Sequence, residues 1–236
     1  MFLGRFSRSR RTKPQLHNVT SENQLRKKIV DAGRILGKYG FISFLGSYAP
    51  GNISVRLPNL QGVLITPSGI VKNRLSEREL CLIDFDGRVI KGNLKPTSET
   101  PTHLAIYRSR PNVNAIVHTH PTYAGVFAIA KRKIPVVTIE MAGLVGSDVP
   151  IAKFVIPGTS ELGRQVVRTM GNRMAVLLQN HGLITVGSTL DEAVSATMAI
   201  EENAMLAYFA ATFANPKIIP KAKVAEIRKY IQTEYG

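Results

Sequence analysis

Apolar residues recur at Leu25, Ile29, Ala32, Ile35 and Leu36, a spacing of three and four that collects them on one face of a helix. Ser21-x-x-Gln24 in front has capping-box form, and Gly37 and Gly40 follow. The pattern predicts a helix opened at Ser21 that lays one side on a sheet. The period then shortens. Runs at 53–57, 63–66, 80–85 and 88–90 read as strands, the last two joined by Asp86-Gly87, a dipeptide suited to a hairpin turn. A helix is expected from Pro101 to about Ser109, with Ser98 or Thr100 as its cap. A strand at 115–120, a helix over 122–130, a strand at 136–139, a helix at 160–170 and strands at 175–179 and 183–186 follow. Thr189-x-x-Glu192, a second capping box, opens a long helix to about Phe213, and Asn215-Pro216 breaks the chain before a short basic C-terminal helix. Hairpin strands with intermixed helices predict an α/β fold with a mainly antiparallel sheet covered by helices.

At 236 residues with 44% hydrophobic composition, the chain supports one sizeable core, so residues 21–236 are expected to form a single domain. No apolar stretch nears the ~20 residues that span a bilayer, and no membrane role is expected. Cys81, the one cysteine, sits in an apolar run and has no internal partner, which fits a reducing, cytoplasmic setting and leaves nitrogen and oxygen as metal ligands. The net charge of +15 favours an anionic partner, either a polyanion or a small phosphorylated metabolite. Arg5, Arg8, Arg10, Arg11 and Lys13 make residues 1–20 a basic, flexible arm without acidic residues. A transit peptide and a nucleic-acid-touching tail are its alternatives, but the arm lacks the interleaved aromatics of single-strand binders, so nucleic acid is not the expected partner.

The chemistry-bearing residues are few. Ala115-Ile116-Val117-His118-Thr119-His120 reads as a strand carrying two imidazoles to one side, since residues two apart project together. Of the five histidines, His181 in Asn180-His181-Gly182 is the third candidate, in a turn where Gly182 is expected to permit an unusual backbone angle. Three neutral imidazoles leave open positions on zinc, the arrangement of catalytic sites. Glu99, just before the helix at Pro101, is the candidate carboxylate for moving a proton. The loops at 49–52, 66–69 and 95–98 carry Asn52, Ser68, Gly69, Thr97 and Ser98, whose N–H and hydroxyl groups suit an anion nest without a fixed lysine.

Five segments resemble the class II aldolase/adducin family in order and spacing. They are Gly51-Asn52-Ile53-Ser54-Val55-Arg56, Leu64-Ile65-Thr66-Pro67-Ser68-Gly69, Pro96-Thr97-Ser98-Glu99-x-x-x-His103, Ala115-Ile116-Val117-His118-Thr119-His120 and Leu177-Leu178-Gln179-Asn180-His181-Gly182-Leu183. The resemblance implies a class II aldolase-like fold in αβα layers and a homotetramer with sites between neighbouring subunits. It implies Zn2+, or another divalent metal, on His118, His120 and His181, and a phosphate cradle of Asn52, Ser68, Gly69, Thr97 and Ser98. With Glu99 as acid/base, the implied activity is that of a lyase. It would cleave a small phosphorylated ketose, similar to L-fuculose 1-phosphate, through a metal-stabilised enediolate to dihydroxyacetone phosphate and an aldehyde. Methylthioribulose-1-phosphate dehydratase-like chemistry and sugar-phosphate epimerisation or decarboxylation use a similar site, and a non-catalytic adducin-like module shares the fold. The family's tyrosine from a neighbouring subunit falls on Ile139, with Glu140 beside it as substitute, and a C-terminal tyrosine corresponds to Tyr235.

Overall fold

In the computed structural model, which describes residues 21–42, 49–58 and 61–234, the first apolar stripe becomes helix α1 (Glu22–Lys38). Its capping box is complete: Gln24 N–H donates to Ser21 Oγ and Ser21 N–H to Gln24 Oε1. The basic arm and Tyr235 lie outside the described residues. Eight strands form one sheet: β1 (Asn52–Arg56), β2 (Val63–Ile65), β3 (Cys81–Ile83), β4 (Val89–Lys91), β5 (Ala115–Thr119), β6 (Ile151–Ala152), β7 (Ala175–Leu178) and β8 (Gly182–Gly187). They run β4-β3-β2-β1-β5-β8-β7-β6, and each pair is antiparallel except β6 with β7. The helices complete an αβα arrangement: α2 (Thr100–Ser109) and α5 (Ser160–Met170) cover one face. On the other lie α1 and α6 (Leu190–Phe213), with α3 (Thr122–Ile129), α4 (Ile139–Leu144) and α7 (Lys221–Glu234) beside α6.

Strand alternation sorts the core. Ile53, Val55, Ala115 and Val117 face α1 and α6, while Ile116, Ile184 and Val186 face α2 and α5. Asn52 pairs with His118 and Ser54 with Ile116, so Asn52, Ser54 and His118 share the face under α2. On the opposite face α1 carries two glycines one turn apart. A Cβ at Gly33 would meet the Lys72 carbonyl oxygen at 2.6 Å, and one at Gly37 would meet Asn73 Cβ at 2.6 Å. This notch admits the 3-10 turn Lys72–Arg74 close to the helix.

The expected strand at 136–139 is not one. Buried Asn203 on α6 takes over the backbone groups a ladder would pair: its Oδ1 accepts from Val137 N (2.9 Å) and Thr138 N (3.1 Å), and its Nδ2 donates to Pro135 O (2.8 Å). Thr138 then caps α4, its Oγ1 accepting from Met141 N. Two-residue β6 was too short to read as a strand in the sequence and supplies the parallel pair. The Asp86-Gly87 turn is a wider loop than a two-residue hairpin, with Asp84 Oδ1 accepting from Asp86 N and Arg88 N. The second capping box is half made, since Glu192 turns its carboxylate to Ser188 rather than to Thr189.

Three buried polar side chains on α6 dock separate parts of the chain. Thr197 Oγ1 lies 2.7 Å from Thr185 Oγ1 on β8, and Asn203 holds 135–138. Glu201 accepts from Tyr123 N and Ala124 N, both at 2.8 Å, and so caps α3, which starts two residues after His120. Replacing Asn203 with Ala removes the partner of two N–H groups and a carbonyl, all on half-buried residues, so part of the ~1–3 kcal/mol cost per unsatisfied buried group applies to each. Urea unfolding of N203A is expected to show a loss of roughly 1–3 kcal/mol, against little change for an exposed Asn→Ala control.

Candidate metal centre and active site

β5 ends at Thr119, so His118 is the last inward residue of the strand and His120 lies one step beyond it. His120 stays aimed with His118 because its N–H donates to Phe41 O at 2.7 Å. His181 sits in the turn between β7 and β8, and here the expected cause changes. The left-handed residue is Asn180 (φ +57), whereas Gly182 is inside β8. Gly182 is required by proximity: a Cβ there would lie 2.5 Å from Thr119 O, 3.0 Å from His120 Cδ2 and 3.1 Å from His118 Cε1. Its bare backbone lets three rings meet, with centroids 4.8 to 5.0 Å apart.

The donor set fits a divalent cation. One nitrogen from each of His118, His120 and His181 falls within 4.8 Å of the others. His118 Nδ1 faces Leu183 O at 3.0 Å, and a carbonyl only accepts, so Nδ1 carries the proton and Nε2 a lone pair. That lone pair faces His120 Nε2 at 3.0 Å and Glu99 Oε2 at 3.3 Å. Buried acceptors so close repel unless a proton or metal lies between them. Burial pushes the His118 and His120 pKa values down, helped by neighbouring imidazoles, which keeps the rings neutral as metal ligands must be. His181 Nδ1 is buried with no hydrogen-bond partner among the described residues.

Glu99 occupies the N-cap position of α2, yet its side chain does not cap. It turns into the histidines, with Oε1 3.4 Å from His181 Nε2, and receives a hydrogen bond from Asn52 Nδ2 at 3.5 Å. Neither Ser98 nor Thr100 is the cap; the Thr100 hydroxyl donates to Thr97 O. Burial raises the Glu99 pKa, opposed by His181 and Asn52. Behind it runs a polar chain that starts at Asn52 and continues through His103, Ser54 and Tyr107, three residues that the sequence reading left without a role. Asn52 Oδ1 meets His103 Nε2 at 2.5 Å, His103 Nδ1 meets Ser54 Oγ at 2.6 Å, and Ser54 meets Tyr107 OH at 2.9 Å. All four are buried, and burial holds the His103 pKa down at about 3.

A cavity of about 240 Å³ joins these groups to the three loops, lined by Asn52, Ser68, Gly69, Thr97, Ser98, Glu99 and the three histidines. The loops clasp each other: Thr97 N donates to Thr66 O, Ser68 N to Lys95 O and Ser68 Oγ to Pro96 O. Both donors of Ser68 are therefore engaged between loops, which trims the expected nest. Lys72, also missed by the sequence reading, lines the cavity too; it carries no local signal, because its burial comes from the glycines of α1. Ile139 and Glu140 are exposed on α4 and do not line this cavity. A larger cavity of about 680 Å³, bounded by Lys133, Asp148, Arg173 and Arg228, contains none of the histidines.

An αβα fold with three convergent histidines and a buried carboxylate at one cavity marks a protein built for metal-assisted chemistry on a small ligand. The family model described as Class II Aldolase and Adducin N-terminal domain matches residues 27–208, and the chain belongs to that family. It is 34% identical over 215 residues to L-fuculose phosphate aldolase of Escherichia coli strain K12, covering 91% of this chain and 96% of that protein. It is 35% identical over 212 residues to 5-methylthioribulose-1-phosphate/5-deoxyribulose-1-phosphate aldolase of Rhodospirillum rubrum, covering 90% and 92%. A solved structure of L-fuculose 1-phosphate aldolase superposes with a TM-score of 0.83 at 29% identity, covering 91% of this chain and 99% of that one. Among the described residues no helix is long and apolar enough to cross a membrane.

Two expectations follow. Gly182→Ala forces the rings apart and should weaken divalent-metal affinity by roughly 10- to 100-fold, as read by competition with a chromogenic chelator. The buried neutral histidines also set an acid limit. Below pH 6.5 an unfolded chain protonates His103 while the folded one does not until about pH 3, so stability falls as pH falls through that window. His103 alone gives about 1.4 kcal/mol per pH unit, with His118 and His120 acting in the same direction in metal-free protein. Burial raises the pKa values of Glu99 and Glu201, which act in the opposite sense, so the His103 share is read from urea midpoints at pH 7, 6 and 5 under chelator in the native chain against His103→Gln; equal slopes would contradict it.

Proposed function

We propose that this chain is a zinc-dependent aldolase that cleaves a small phosphorylated ketose, similar to L-fuculose 1-phosphate, into dihydroxyacetone phosphate and an aldehyde. The observation that carries the reading is Glu99, a buried carboxylate held among His118, His181 and Asn52 in the cavity that also contains the anion-binding loops. His118, His120 and His181 would hold the metal. When bound, the metal polarises the substrate carbonyl and stabilises the negative charge left by carbon–carbon cleavage. Asn52, Gly69, Thr97 and Ser98, with Ser68 at the loop junction, bind the phosphate and so fix which carbon faces Glu99. Glu99, its pKa raised by burial above the usual carboxylate range, is the group that delivers a proton to the carbon from which the aldehyde has parted. Asn52 orients that carboxylate and is itself held by His103.

The second proton, taken from the substrate hydroxyl, needs another base. The site is proposed to lie between subunits of a homotetramer, where exposed Glu140 on a neighbouring subunit, or Tyr235, would serve in place of the family tyrosine that Ile139 replaces. We place the protein in the cytoplasm, in keeping with the buried free thiol of Cys81. The Rhodospirillum rubrum relative makes methylthioribulose 1-phosphate a substrate to test beside L-fuculose 1-phosphate.

Zinc-loaded protein incubated with a panel of ketose 1-phosphates is expected to release dihydroxyacetone phosphate, with chelation abolishing release and zinc restoring it. Water loss or epimer formation without cleavage would replace the aldolase reading. Glu99→Gln should lower kcat by about 10²- to 10⁴-fold while retaining zinc, and an unchanged kcat would remove Glu99 from the mechanism.

A further inference from the structure

The wall of the cavity carries a lysine in an unusual state. Lys72 is 2% exposed, and its ammonium donates to Ala49 O at 3.0 Å. Among the described residues it makes no ion pair, and burial alone moves its pKa down, to about 8. It is also the only lysine or arginine among the residues lining the cavity. A buried cation without a counter-charge is costly to keep, and an anion arriving beside it offsets that cost. The position is built rather than incidental. Gly33 and Gly37 of α1 admit the backbone of the Lys72–Arg74 turn closer than any side chain would allow, so the stem runs under the loop at Ala49 instead of into solvent. An ammonium has three N–H donors, and among the described residues only Ala49 accepts from it, so donors remain for a ligand. The loops facing it are themselves short of donors, because Ser68 gives its N–H and its hydroxyl to the neighbouring loop. Neutral loop donors alone would admit carboxylates or hydroxyls, whereas an adjoining fixed cation favours the doubly charged phosphate.

We propose that Lys72 is the counter-charge for the substrate phosphate and the residue that restricts this cavity to phosphorylated ligands. For the substrate class the inference rests on the aldolase reading, and inorganic phosphate serves as a probe independent of cleavage. Calorimetric titration of the zinc-loaded full chain with inorganic phosphate is expected to show a Kd raised roughly 10- to 100-fold in Lys72→Met. With a ketose 1-phosphate that is cleaved, the same substitution should raise KM more than it lowers kcat, and Lys72→Arg should recover part of the phosphate affinity. Folding of each variant is checked by circular dichroism. In 15N-labelled native protein the Lys72 Nζ signal should shift on adding inorganic phosphate, which tests the contact without any variant. A folded Lys72→Met protein that binds phosphate as the native chain does, or an unmoved Nζ signal, overturns the proposal. Loss of phosphate binding in Lys72→Met in a protein that cleaves no ketose phosphate would sink the aldolase reading and leave this one standing.

Discussion

The register of β5 between β1 and β8 is the constraint on which the site depends. Asn52 opposite His118 puts the amide beside the imidazole, and the β8 register brings Gly182 alongside the His118 and His120 rings. A slip of one residue in either pairing would turn His118 toward the α1 face and Val117 toward the cavity. Hydrophobic burial prevents it, since Val117 packs with α1 and α6 while Ile116 packs with α2 and α5. The core residues flanking the histidines are thus what fix the direction in which the imidazoles point.

Much of this was legible in the sequence because it is written in local patterns. The 3.6 period around Leu25, the alternation in β1 and β5 and the two-residue spacing of His118 and His120 each depend on near neighbours alone. What was misread depends on distant partners. The run at 136–139 has the composition of a strand, and only Asn203, more than sixty residues away in the chain, withdraws its backbone from any ladder. Gly182 was correctly singled out for a mistaken reason: a glycine beside a turn suggests torsional freedom, and the rings that crowd it come from another strand. His103 and Lys72 stayed without roles because nothing in their immediate sequence separates a buried networked side chain from an exposed one.

Electrostatically the site works by exclusion of water. Desolvation pushes the His118 and His120 imidazoles toward neutrality, Glu99 toward its protonated form and Lys72 toward losing its charge. Each shift prepares a group for what enters. Neutral imidazoles accept a cation readily, a carboxyl whose charged form is disfavoured by burial holds its proton more firmly, and a weakly solvated ammonium gains most from an arriving anion. The polar chain from Tyr107 through Ser54 and His103 to Asn52 lets such groups be buried together, because each link is satisfied by the next.

Helix α6 behaves as a ruler with three marks. Thr197, Glu201 and Asn203 each dock a different segment, and each bond depends on that side chain's angle around the helix axis. Inserting one residue between Ala193 and Thr197 would rotate everything after it by about 100°, pulling Glu201 off the start of α3 and Asn203 off the 135–138 segment together. Length within this helix is therefore far less free to drift than residue identity on its outer face, and lineages of this fold should gain and lose residues elsewhere.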